Sequence, residues 1–300
     1  MKIKFIDLFA GIGGFHLALK SLNFECVFTS EIDEFARKTY KSNFNDKYLD
    51  EPLFFARDIW DVDINKIPKF DILCAGFPCQ PFSQAGHKRG FQDNKNGNLF
   101  FSIIEILKRK KPRAFILENV RHLEKHDQGK TFKTIYNSLR EIGYTFDHKI
   151  IKASEFGLPQ HRPRIYMVGF LKEKINKKYH ELPFNFPKPK KLKKSMSDIM
   201  GGYVSKNFDS EDERIIGFTL RVGGGKSAIH DRRNWDGYIV NNEVVRLSYT
   251  QGLQMMGFPK NFKMPVSDNQ AMKQLGNSVA VNVIKEIGKS LVKHLEDYSI

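Results

Sequence analysis

The chain has 300 residues, enough for one large domain or a large and a small one. Its 49 Lys and Arg against 34 Asp and Glu leave a net charge of +15, which favours a polyanionic partner, most simply nucleic acid. Three cysteines (Cys26, Cys74, Cys79) are too few for a disulfide framework, no Cys/His cluster has zinc-ligand spacing, and no segment approaches the roughly 20 apolar residues of a membrane span. A reducing compartment, no metal and no membrane are expected.

Lys2 and Lys4 precede an apolar stretch from Phe5 to Leu19, as in a secretory leader. Asp7, three glycines and His16 interrupt it and no small-residue cleavage site follows, so it reads as a strand and a turn. Residues 3–8 form the first predicted strand, followed by the turn Phe9-Ala10-Gly11-Ile12-Gly13-Gly14 and a helix from Phe15 to Ser21. A second strand over 25–30 ends at Glu31, and Asp33 caps a helix running to about Ser42. Short apolar runs at 53–57 and 70–75 are two more strands, with Asp58 and Cys79 just past their ends. A helix at 99–110 leads to a strand over 113–117 that ends at Glu118-Asn119-Val120. A helix near 131–141 and strands near 144–152 and 164–170 follow. This alternation predicts an α/β fold with a doubly wound, mostly parallel sheet.

The pattern breaks near residue 172. Residues 172–194 are rich in Lys and Pro and read as a crossing linker. Residues 195–247 are polar and Gly-rich, the signature of a small irregular second domain. Helical patterning returns at Ser248-Tyr249-Thr250-Gln251, which fits a capping box, and again from Val279 to the C-terminus.

Three groups of residues carry chemistry. Pro78 and Pro81 stiffen Gly76-Phe77-Pro78-Cys79-Gln80-Pro81-Phe82-Ser83, which holds the Cys79 thiol in an extended turn beyond a strand's carboxyl end, where open α/β sheets bind ligands. Glu31 lies 17 residues after Gly14, where an acid can accept the hydroxyls of a ribose, and Asp58 can accept from an adenine amino group; both acids can equally be helix caps. Glu118 ends an apolar strand, so its pKa should rise toward that of a general acid, with Arg162 or Arg164 as its partner. The 16 residues 83–98 suit a lid whose Lys88 and Arg89 meet phosphates.

Six blocks in order resemble the C5-cytosine DNA methyltransferases: Asp7 to Gly14, Gly76 to Ser83, Glu118-Asn119-Val120, Gln160 to Tyr166, Arg246-Leu247 through Gly257-Phe258-Pro259, and Gln274 to Val279. Only about 172–245 lies outside them, where the family carries its variable target-recognition domain. The layout is similar to that of short bacterial restriction–modification enzymes. The resemblance implies a catalytic and cofactor-binding domain over 1–192, a target-recognition domain and hinge over 193–274, and a C-terminal helix over 275–300 that returns to the first domain. It implies S-adenosylmethionine as methyl donor, lined by Phe9, Gly11, Gly14 and Pro78, with Glu31 at the ribose, Asp58 and Ile59 at the adenine, and Leu99, Asn277, Ser278 and Val279 closing the site. The family often has an aromatic residue where this chain has Ile32.

By the same resemblance Cys79 attacks C6 of a flipped cytosine, Glu118 acts at N3, and Arg164 with Arg162 beside it holds Glu118 and the base. Thr219-Leu220 matches the recognition dipeptide. Ser83, Lys88, Arg89, Thr219, Arg221, Lys226, Arg232 and Arg233 are the candidate DNA contacts. Gln251 and Gln254 stand where an acid and a base are commoner, which removes an ion pair at the domain junction. Double-stranded DNA is the expected partner of a monomeric, cytoplasmic bacterial enzyme. A tRNA cytosine-5 methyltransferase and a non-catalytic DNA-binding homologue are the alternatives.

Overall fold

The computed structural model describes residues 2–45, 51, 54–78, 99–177, 180, 182–223 and 225–298. Cys79 and the lid residues Ser83, Lys88 and Arg89 lie outside the described residues. Strands β1 (Lys4–Leu8), β2 (Glu25–Ser30), β3 (Phe55–Ala56), β4 (Ile72–Gly76), β5 (Ala114–Val120), β6 (Asp147–Lys152) and β7 (Pro163–Phe170) form one sheet, ordered β3-β2-β1-β4-β5-β7-β6. The first five run parallel, and β7 is antiparallel to both β5 and β6. The chain winds outward from β1 in one direction and from β4 in the other. The crevice between the carboxyl ends of these two strands is therefore the topological switch point.

Alternation along the strands builds two apolar layers. Phe5, Cys26, Cys74, Ile116 and Val168 face one side, and Ile6, Phe28, Leu73, Phe115 and Met167 the other. The helices are α1 (Gly14–Lys20), α2 (Glu34–Asn43), α3 (Leu99–Lys110), α4 (Lys130–Glu141), α5 (Met196–Met200), α6 (Tyr249–Met256), α7 (Asp268–Asn277) and α8 (Val281–Tyr298). Phe100, Ile103 and Leu107 of α3 and Ile135 and Leu139 of α4 cover the second layer. Phe15 and Leu19 of α1 and Val283, Ile287 and Leu291 of α8 cover the first. Helix α8 packs closely on α1: at Gly288 a Cβ would stand 2.9 Å from Leu19 and Leu22.

Three segments differ from the sequence expectation. The run at 53–57 pairs only through Phe55–Ala56. The region 195–247 contains a three-stranded antiparallel sheet, β8 (Val204–Ser205), β9 (Gly237–Val240) and β10 (Glu243–Arg246). Its hairpin turns at Asn241-Asn242, both with positive φ (47° and 66°), the backbone that a two-residue hairpin prefers and asparagine tolerates. Helix α7 escapes a search for apolar periodicity because its buried face is Ala271, Gln274, Leu275 and Gly276, half of it polar or bare.

The crossing linker is anchored on α8. Phe184 is buried against Phe170 and His294, and Lys190 reaches Glu286 at 2.6 Å. His294 stacks on Phe170 with ring centroids 4.0 Å apart, and burial pulls its pKa down to about 4. The folded state therefore resists a proton that the unfolded chain accepts below about pH 6.5, so this contribution to stability is complete above that value and is lost toward about pH 4. Melting temperature should fall more steeply over that window in the wild-type protein than in His294→Phe; equal acid slopes would refute the assignment.

Candidate active site

Two cavities meet at the carboxyl end of the sheet. The first, of about 410 Å³, opens at the switch point. Its walls come from Phe9, Gly11 and Ile12 after β1, from Ser30 to Asp33 after β2, and from Arg57 to Ile59 after β3. Gly76 to Pro78 around the end of β4, Glu118 to Val120 at the end of β5, Lys273, Gln274, Gly276 and Asn277 of α7, and Leu99, Arg162 and Arg164 extend it. The turn after β1 is tight: Phe9 and Gly11 both have positive φ (55° and 57°), and a side chain at Gly11 would project into open space. Gly14 serves differently. A Cβ there would stand 2.6 Å from Val279 and 3.0 Å from the Ser278 hydroxyl, so Gly14, Ser278 and Val279 support the wall from behind and do not line it.

Glu31 is aimed by its surroundings. One carboxylate oxygen accepts from the Gly11 N–H and the other from the Asp33 N–H, each at 2.7 Å. Burial raises its pKa, and those two N–H groups oppose the shift. Asp58 accepts from the Trp60 N–H at 3.0 Å and caps a short 3-10 turn, Ile59–Asp61. Both acids are thus caps and cavity walls at once. Ile32 lines the cavity while 64% exposed. The sequence reading did not assign Arg57, Asp33, Lys273, Gln274 or Asn119 to the site. Asp33 had the visible signal of a helix cap, and Lys273 and Gln274 lie on the helix that patterning missed.

Asn119 fixes the backbone just after β4. Its side-chain amide donates to the Phe77 carbonyl at 2.8 Å, so the end of β5 holds the backbone that enters Pro78. Glu118, one residue earlier, is buried. Arg164 Nε lies 3.2 Å from its Oε1 without hydrogen-bond alignment, and that oxygen accepts no hydrogen bond among the described residues. Burial raises the Glu118 pKa; Arg164 and, more weakly, Arg162 pull it back. Arg162 does not hydrogen-bond Glu118. It is 2% exposed and donates to the carbonyls of Leu220, Gly276 and Ser278. Only Arg164 makes the direct contact expected of both.

The second cavity, about 450 Å³, is bounded by Arg121, His122, His161 and Thr219 to Val222. It shares Val120, Arg164, Gly276 and Asn277 with the first. Thr219 and Arg221 therefore face the site. The other recognition candidates lie elsewhere: the Lys226 N–H donates to Asp236, Arg232 is exposed, and Arg233 is held by Asp231 at 2.7 Å. Ser248 and Gln251 form the expected capping box on α6, and Gln254 takes a 3.4 Å contact from Lys194 where an ion pair was expected to be missing.

The family model for C-5 cytosine-specific DNA methylases matches residues 3–243 and 203–293. The chain belongs to this family. It is a DNA cytosine methyltransferase, and membership implies a methyl-donor cofactor. The Type II methyltransferase M1.ScrFI of Lactococcus lactis subsp. cremoris is 41% identical, over 98% of this chain and 79% of that protein. M.HaeII of Haemophilus aegyptius is 41% identical over 97% and 93%, and M.HhaI of Haemophilus parahaemolyticus 36% over 96% and 94%. These relatives favour neither the tRNA alternative nor the non-catalytic one. The Dnmt2 methyltransferase of S. pombe superposes with a TM-score of 0.72 at 18% identity, covering 99% of each chain. A DNMT2 mutant of Spodoptera frugiperda gives 0.70 at 21%, covering 97% of this chain and 100% of that one. At that identity the likeness concerns the fold of the methyltransferase.

The raised Glu118 pKa has a consequence for stability. The fold holds this proton more tightly than the unfolded chain does, so stability is lost as pH rises through the raised value. Glu118→Gln should melt higher than wild type at about pH 8 and match it near pH 4. A variant that melts lower at the alkaline end would show that the Arg164 contact outweighs burial.

Proposed function

We propose that the protein transfers a methyl group from S-adenosylmethionine to C5 of a cytosine in double-stranded DNA, as the modification enzyme of a restriction–modification pair. It acts as a monomer in the bacterial cytoplasm, with Cys79 as nucleophile and Glu118 as the acid. The observation that carries the reading is the buried Glu118 carboxyl, whose Oε1 has no hydrogen-bond partner among the described residues, beside an arginine that borders both cavities.

The first cavity fits the donor. Among the described residues its lining holds four acids (Glu31, Asp33, Asp58, Glu118) and four bases (Arg57, Arg162, Arg164, Lys273), a balance that suits a small molecule carrying both signs of charge. Glu31, fixed by two backbone N–H groups, keeps further lone pairs for ribose hydroxyls. Ile32 and Ile59 offer apolar faces to an adenine, Asp58 an acceptor for its amino group, and Phe9, Gly11, Pro78, Leu99 and Asn277 the remaining walls. Gly14, Ser278 and Val279 hold those walls in place.

C5 of cytosine is a weak nucleophile, and the residues address that in order. The Cys79 thiolate adds to C6, forming an S–C6 bond. The C5=C6 electron pair moves into the ring as N3 takes a proton from Glu118, so C5 becomes enamine-like. When bound, the donor supplies an electrophilic methyl group to that carbon. Transfer of the C5 proton to solvent water restores the double bond and expels Cys79 as thiolate, and N3 returns its proton to Glu118. Arg164 keeps Glu118 oriented throughout. The target base is inaccessible inside a duplex, so it must leave the stack to reach this site.

Thr219 and Arg221, at the second cavity, are assigned to base readout. Lys226, Arg232 and the lid residues Ser83, Lys88 and Arg89 are assigned to the phosphate backbone. Arg233 joins them only if DNA displaces Asp231. Bisulfite sequencing of plasmid DNA from expressing cells should reveal methylated cytosines in one short recurring sequence. Cys79→Ser should remove that signal and leave donor binding intact. Normal methylation by the variant would defeat the nucleophile assignment.

A further inference from the structure

Arg162 joins two segments far apart in sequence. Its Nη1 donates to the Leu220 carbonyl at 3.2 Å, and its Nη2 donates to Gly276 at 2.8 Å and Ser278 at 2.6 Å. Leu220 sits inside the Thr219–Val222 stretch that borders the second cavity. Its N–H donates in turn to Gln160 Oε1 at 3.1 Å, so both backbone polar groups of Leu220 are held from the 160–162 segment. Gly276 and Asn277 form part of the donor wall. The two segments also touch directly. A Cβ on Gly276 would lie 2.7 Å from the Arg221 carbonyl carbon and 2.8 Å from its oxygen. Glycine alone permits that approach.

A fully buried guanidinium is costly unless its donors are satisfied. Nη1 and Nη2 find carbonyls at the C-terminal end of α7, where the helix has unpaired acceptors and a partial negative charge, together with one carbonyl from the readout stretch, while the buried Nε has no partner among the described residues. Moving Leu220 away from α7 would take a second acceptor from a buried cation whose Nε already has none among the described residues. The readout stretch and the donor wall are therefore constrained to move together.

We propose that Arg162 is a positioning residue that couples sequence readout to donor binding. Engagement of the target sequence at Thr219–Val222 fixes the Leu220 carbonyl and, through the shared guanidinium, the Gly276–Ser278 wall, so the donor binds more tightly when the correct duplex is present. Linkage requires the donor to tighten the correct duplex by the same factor. The proposal rests on the donor and DNA assignments above. It differs from a purely structural clamp, whose loss would lower stability and both affinities without changing their interdependence.

The test measures S-adenosylhomocysteine affinity for wild type and Arg162→Lys by calorimetry, alone, with a short duplex carrying the sequence found by bisulfite mapping, and with a scrambled duplex. Lysine keeps the charge but cannot span three carbonyls. Wild type should bind on the order of tenfold more tightly with the mapped duplex than with the scrambled one, and Arg162→Lys should show nearly equal affinities. Undiminished coupling in the variant overturns the proposal, as does absence of coupling in wild type. If Arg162→Lys does not fold, Gly276→Ala, which forces the same segments apart, is measured instead, and coupling retained there overturns it. Wild-type protein that binds no S-adenosylhomocysteine in any arm defeats the donor assignment itself, a result distinct from binding without coupling.

Discussion

The antiparallel pairing of β7 with β5 is the constraint on which the rest of the site depends. It sets Val120 opposite Arg164 and Glu118 opposite Tyr166, so the Arg164 side chain reaches diagonally across the ladder to the Glu118 carboxyl. It also delivers the preceding residues, Gln160 to Arg162, under the Thr219–Val222 stretch, where they hold Leu220 from both sides. A parallel strand at this place would have entered from the opposite end of the sheet. The proposed catalytic acid, its arginine and the link to the Thr219–Val222 stretch all follow from one reversal of direction.

Electrostatics divides the molecule by scale. The chain as a whole carries +15, which draws a polyanion from a distance. The first cavity is balanced, with equal numbers of acids and bases among the described residues of its wall. Within it Glu118 is held toward its neutral form by burial, and Arg164 opposes this only in part. A carboxyl that costs stability when ionised yet stays in place is the pattern of a group kept for chemistry.

Much of this was legible in the sequence, and the physical reasons are uneven. Strands β1, β2, β4 and β5 were clear because buried parallel strands are short, apolar and bounded by turns. Glu31, Asp58 and Glu118 were clear because each lies at a strand's carboxyl end. Arg162 and Arg164 looked equivalent two residues apart. Position and burial separate them: Arg164 lies in β7 and reaches the carboxyl, whereas Arg162, just before the strand and buried, reaches the carbonyls of two distant segments. Helix α7 was hidden because it packs through small and polar residues, and with it went Lys273 and Gln274. The β9–β10 hairpin had a signal, the Asn241-Asn242 pair, that a polar, glycine-rich surrounding obscured.

The most direct measurement of the central claim is where a covalent bond to the base forms. In 5-fluorocytosine the fluorine at C5 cannot leave as the proton does, so once methyl transfer has occurred the thioether to C6 persists. Protein trapped on duplex DNA carrying that base at the methylated position, then digested and analysed by mass spectrometry, should show the modification on the peptide bearing Cys79 and on no other. An adduct at Cys26, Cys74 or any other residue, or methyl transfer without an adduct, would contradict the account.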